Sequence, residues 1–168
     1  MQHSWRGIAA VIVLVCSVAP TLAQSPPGKR IIIPKGMEGS YDNYHYAPVV
    51  RVGDMVIVSG IPAGGAETYE GKIRKMFERA KLHLEAAGAT LSDVVEITTF
   101  HAQVRDSESF QQEFAKFLVI HKEYFPEAYP AWTAVGTTAL LAPGAPVEMR
   151  LMAMIGAGKE SKVERAAP

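Results

Sequence analysis

Three observations predict an α+β fold for this chain, a mixed sheet carrying two helices on one of its faces. β-Branched runs occur at 47–52 and 55–59, and further strand-like segments at 94–104, 132–140 and 147–155. Two stretches with apolar residues at helical spacing, 70–87 and 110–125, are interleaved with them. The resulting order, ββ-α-β-α-ββ, suits an open sandwich with both helices on one side. The other side of such a sheet stays bare, and a bare, partly apolar face is commonly closed by self-association.

The elements follow from local chemistry. Residues 8–19, IAAVIVLVCSVA, form an apolar run ended by Pro20 and followed by the small-residue sequence TLA. The run is too short to span a bilayer and suits a secretory signal cleaved after Ala23. Residues 24–43 are rich in Pro, Gly and Ser and are expected to form a flexible arm, with one short edge strand at RIIIP, 30–34, stopped by Pro34.

The domain is expected over 44–156. Ala47–Val52 and Met55–Ser59 flank Gly53-Asp54, a hairpin signal. Ile73, Met76, Phe77, Ala80, Leu84 and Ala87 make the first helical stripe, closed by Gly88, with His83 on its polar side. The sequence VVEITTFHAQV predicts the next strand. Phe110, Phe114, Phe117, Leu118, His121 and Phe125 make the second stripe, stopped by Pro126. Trp132–Leu140 and Val147–Ile155 are the last strands, and 157–168 form a flexible charged tail.

Composition narrows the function. The signal holds one of the 17 basic residues and none of the 17 acidic ones, so the mature 145 residues carry 16 against 17, a formal charge of −1. That balance provides no general attraction to nucleic acid or to an anionic membrane. The single cysteine, Cys16, leaves with the signal, and with it any thiol nucleophile or disulfide. The five histidines show no metal-ligand spacing, and P-loop, G-x-G-x-x-G and G-x-S-x-G motifs are absent. His101, inside a strand, is expected to be a satisfied structural histidine.

Two features point toward a site. Val58-Ser59-Gly60 ends a strand just before a loop, where side chains reach clefts. Glu148 stands within an apolar strand, where a carboxylate is costly to bury unless it is paired or faces a site. Period two places Glu148 and Arg150 on one side, about 6.6 Å apart between Cα atoms, opposite Val147, Met149 and Leu151.

YAPVVRVGDMVIVSG (46–60), LEAAGATLSDVVEITTF (84–100), YFPEAYPAW (124–132) and VEMRLMAMI (147–155) occur in that order. Together they resemble the reactive intermediate deaminase (RidA, or YjgF) family across nearly the whole domain. The resemblance implies a chorismate-mutase-like α+β fold, a homotrimer with clefts at its subunit interfaces, and hydrolysis of enamine or imine intermediates without metal or organic cofactor. It places the substrate-lining tyrosine at Tyr46, the serine at Ser59 and the water-directing carboxylate at Glu148. The arginine that clamps a substrate carboxylate falls on Trp132, and the family's helix asparagine falls on Phe114 or Leu118.

Tryptophan offers one neutral N–H where arginine offers a charged planar fork, a loss of roughly 1.5–3 kcal/mol in a charge-assisted contact. An apolar, aromatic or cationic ligand is therefore expected, with Arg150 as an alternative source of positive charge. The whole is expected to be a periplasmic or secreted RidA-like protein that binds a small metabolite. It either hydrolyses an enamine/imine-type or related C–N bond through Glu148-directed water, or acts as a non-catalytic ligand- or protein-binding trimer.

Overall fold

The computed structural model describes residues 27–166. The expected signal at 1–23 lies outside the described residues. Six strands form one sheet in the order β1-β2-β3-β6-β4-β5. They are β1 (Lys29–Ile32), β2 (Val49–Val52), β3 (Met55–Pro62), β4 (Val94–His101), β5 (Ala131–Gly136) and β6 (Val147–Met154). Only the β4–β5 pair is parallel. The helices are a short α1 (Glu38–Asp42) and two long ones, α2 (Tyr69–Ala86) and α3 (Ser107–Tyr124).

The segment expected as a loose arm contains the anticipated edge strand and, in addition, α1. Strand β1 pairs with β2 in register from Lys29↔Val52 to Ile32↔Val49. The predicted strand 132–140 ends at Gly136, because Thr137–Pro146 turns away through Pro143 and a left-handed Gly144.

Both long helices have defined starts. The Thr68 side chain accepts a hydrogen bond from the Gly71 amide to begin α2. Asp106 and Ser109 exchange bonds in a capping box to begin α3. Helix α2 ends next to Gly88 at φ 84°, and the Arg51 guanidinium donates to the Ala87 carbonyl there, tying the helix end to the β2–β3 hairpin.

The core fills the space between the helices and one sheet face. Ile73, Met76, Phe77 and Leu84 of α2 and Phe117 and Ile120 of α3 are fully buried against Val56, Val58, Ile97, Met149 and Leu151. Strand β6 alternates as its sequence predicts: Val147, Met149, Leu151 and Ala153 are buried, while Glu148, Arg150 and Met152 are only half-buried on the opposite face. That opposite face also carries Ile57, Phe100, Met154 and Val135, with no helix upon it.

His83 corrects the sequence reading. It is buried rather than polar-facing, with no partner for its Nδ1. Helix α2 packs against both the sheet and α3, so its buried arc is wider than one stripe and includes the position one turn after Ala80.

Candidate functional site

A cavity of about 540 Å³ opens on the helix-free face at the β3–β6 step. Tyr46, Ser59 and Glu148, three residues singled out in the sequence, line it together, with Gly60 beneath and Tyr44 and Leu141 at its sides. A volume of this size suits a small organic molecule.

The floor is a β-bulge. Strands β3 and β6 pair through Val58↔Leu151, then resume at Ile61↔Met149, so an extra residue is accommodated at Ser59-Gly60. The bulge keeps both Val58 and Ile61 in the core and turns Ser59 and Gly60 toward the open face. The Ser59 hydroxyl donates to the Ala47 carbonyl at 2.7 Å, so its lone pairs are what it offers the cavity.

Glu148 stands opposite Pro62 on β3 and Phe100 on β4. Its carboxylate lies over Gly60, where a Cβ would be 2.1 Å from Oε1. Only glycine leaves room for it. Among the described residues the Glu148 side chain has no hydrogen-bond or ion-pair partner, and burial raises its pKa above the ordinary 4.5.

The tyrosine wall is set by α1. The amides of Tyr44 and Tyr46 donate to the carbonyls of Gly39 and Ser40, and His45 between them takes a left-handed φ of 57°. That conformation is uncommon for a residue with a side chain and is held here by the flanking turn bonds. Tyr44, Pro62 and the 141–143 wall are lining residues that sequence reasoning missed. The Tyr44-His45-Tyr46 pattern was a signal for the first; Leu141–Pro143 carried none.

Trp132 requires a correction. It does not line this cavity. The parallel register Trp132↔Ile97 gives it the facing of the buried Ile97, toward the helices. Its Nε1–H donates to Thr99 Oγ1 at 3.0 Å, and its ring stacks on His121 at 4.4 Å and 12°. It also packs against Phe114 at 4.8 Å, one of the two positions to which the resemblance assigns the helix asparagine. Two positions expected to be polar are thus occupied by aromatics in contact.

Arg150 does share the face of Glu148, but its guanidinium lies 3.7 Å from Glu96 Oε1 and it is not among the cavity-lining residues.

Beneath Trp132 runs a buried polar chain. The fully buried Thr99 hydroxyl accepts from the indole and meets His101 Nε2 at 2.9 Å, while His101 Nδ1 meets Glu113 Oε2 at 2.6 Å. The Tyr69 hydroxyl donates to the other Glu113 oxygen. Thr99 and Glu113 thus hold the two ring nitrogens of His101, one of which donates and the other accepts. Burial raises Glu113 to about 7 and lowers His101 to about 4, so it opposes charge on both. The contact is the hydrogen bond of a neutral imidazole, and His101 is structural, as expected.

Among the described residues no three His, Cys, Asp or Glu side chains are grouped as a metal ion would require, and no helix is long and apolar enough to cross a membrane.

This six-stranded sheet, the two long helices on one face and the carboxylate cavity on the other define a small α+β protein. The profile of the family described as Endoribonuclease L-PSP matches residues 41–155, and the chain belongs to this family, also known as RidA/YjgF. It is 31% identical over 134 residues to the RutC family protein YjgH of Escherichia coli, covering 76% of this chain and 95% of that protein. It is 32% identical over 87 residues to the 2-iminobutanoate/2-iminopropanoate deaminase of Salmonella typhimurium, covering 48% and 68% of the two chains. Among solved structures, a YjgF-family protein of Mycobacterium tuberculosis superposes with a TM-score of 0.64 at 26% identity, over 76% of this chain and all of that one. A RidA from the Antarctic bacterium Psychrobacter gives 0.58 at 28% identity, covering 66% and 88%.

Proposed function

We propose that this is an exported, periplasmic or secreted RidA-family protein that binds a small metabolite in the Glu148 cleft and hydrolyses an enamine/imine-type or related C–N bond. The observation that carries the reading is the partnerless, half-buried Glu148 carboxylate held over Gly60, beside Ser59 and Tyr46. Burial moves its pKa upward, and a carboxylate without a partner of its own is free to accept and return a proton.

For a protonated imine the step is simple. Water adds to the carbon of C=N while Glu148 takes its proton. The carboxyl returns that proton to nitrogen; as the C–N bond breaks, the carboxylate takes the proton of the new hydroxyl, leaving a carbonyl, and passes it to the departing ammonia as ammonium. Two deaminases among the relatives, from Dermatophagoides farinae and Salmonella typhimurium, are named for imine substrates, which supports this bond type. A phosphodiester is a poor fit, because the one charged side chain lining the cavity is a carboxylate.

The second reading is a non-catalytic ligand- or protein-binding trimer. It is favoured by one observation: the position assigned to the carboxylate clamp is a tryptophan packed under α3. Ammonia release from freshly generated imines separates the two. Activity that falls about 100-fold or more in Glu148→Gln supports hydrolysis. Absence of release above the buffer rate in the wild type leaves the binding role.

A further inference from the structure

We infer that the Glu148 cavity selects an amine in its cationic form, an ammonium group on an apolar or aromatic body that carries no carboxylate. This rests on the reading of the cavity as the ligand site and deepens it by naming the ligand class.

The inference comes from counting hydrogen-bond roles. Glu148 when ionised can only accept. Ser59 has already given its proton to the Ala47 carbonyl, so it too faces the cavity as an acceptor. Among the described residues of this chain no lysine, arginine or histidine lines the space, and Arg150, on the same face, is engaged with Glu96. Tyr44 and Tyr46 add neutral phenol O–H groups that donate or accept, so the one charge in the lining is the Glu148 carboxylate and the ligand must bring the positive charge. An anion would meet a like charge, with only neutral phenol donors to offset it.

The walls carry the same preference. Tyr44 and Tyr46 supply aromatic surface on which a cation is favoured, and Pro62, Leu141 and Pro143 supply apolar surface for the body. Tyr44, Tyr46 and Leu141 are exposed in the single chain. An empty cavity leaves the carboxylate half-buried and unpaired, which its raised pKa reflects. A bound ammonium group would supply the missing partner.

Three matched probes test this on the purified protein: phenethylammonium, 2-phenylethanol and 3-phenylpropionate, each titrated by NMR or calorimetry. Phenethylammonium should bind at least tenfold more tightly than the alcohol, with the propionate weakest. Its affinity should rise with pH as Glu148 ionises. In Glu148→Gln the preference for ammonium over alcohol should vanish, and in Tyr46→Leu it should shrink several-fold.

Should Glu148→Gln fail to fold, the wild type still decides, since phenethylammonium must lower the pKa followed at the Glu148 carboxyl carbon. Propionate binding as tightly as ammonium, no shift at that carbon, or no binding of phenethylammonium at millimolar concentration would each overturn the inference. Its failure is distinguishable from that of the hydrolysis reading. Amine binding without ammonia release from imines rejects catalysis alone, whereas ammonia release with no ammonium preference rejects only the ligand class.

Discussion

The carboxylate of Glu148 rests against the α-carbon of Gly60, so closely that a β-carbon there would lie 2.1 Å from Oε1. The two residues are 88 positions apart, and the β3–β6 bulge brings them together. The glycine is therefore a positioning residue for the one charged group of the cavity.

Gly60→Ala should force the Glu148 side chain out toward solvent. Its carboxyl pKa should then fall back toward the ordinary 4.5, followed by carbon NMR titration, and any ligand binding that depends on it should drop tenfold or more. The cost in stability should be small, about 1 kcal/mol or less, because the atoms displaced belong to the end of a flexible side chain that can turn to solvent. An unchanged Glu148 titration in a folded Gly60→Ala protein would show that the contact does not set the carboxylate.

Trp132 should behave as a packing residue. Trp132→Phe removes the bond to Thr99 and should cost about 1–3 kcal/mol, because the buried hydroxyl loses its donor. Trp132→Arg should cost more, several kcal/mol, by pushing a charge between His121, Phe114 and Phe117. Denaturant titrations of both variants check this, and a Trp132→Arg protein as stable as wild type would refute the helix-side placement.

His121 is a reserve of instability. Both its ring nitrogens are buried without partners, among Phe77, Phe117, Phe125 and Trp132. Burial lowers its pKa to about 4. The unfolded chain then takes up the proton first, so this group's contribution to stability is full above the ordinary 6.5 and is lost as pH falls through about 4. His121→Phe should stabilise the protein by about 1–3 kcal/mol and move acid unfolding to lower pH. Glu113, raised to about 7, acts in the opposite sense: its contribution is present below the ordinary 4.5 and lost as pH rises through about 7. Glu113→Gln should therefore flatten the fall in stability between those limits, read from melting temperatures across the range.

Assembly is the next expectation. The helix-free face carries Ile57, Phe100, Met152 and Met154, and trimerisation would cover it. Light scattering on the mature protein should return three times the subunit mass, and Met152→Glu should lower that mass. A wild-type monomer at micromolar concentration would refute it.

Export makes the last prediction. N-terminal sequencing of protein recovered from the cell envelope should begin at Gln24. Cytosolic protein that still begins at Met1 would contradict it.

The sequence by itself determined the order of the long helices and the strands around them, and the alternation of side chains along a strand. Period two in Val147–Met154 put Glu148 and Arg150 on one face, and the structure agrees, because parity along a strand is a local property of the backbone. The same local rules placed the β2–β3 hairpin and the two helical stripes. Tertiary structure alone decided which faces meet. Tyr44, Gly60, Leu141 and Glu148 share a cavity only because β6 inserts between β3 and β4. The parallel β4–β5 pairing turned Trp132 toward α3 and away from Glu148, and packing of α2 on both sheet and α3 buried His83. Periodicity says which residues lie side by side on an element. It does not say which element will cover them, since that is settled by burying the most apolar surface across contacts distant in the chain.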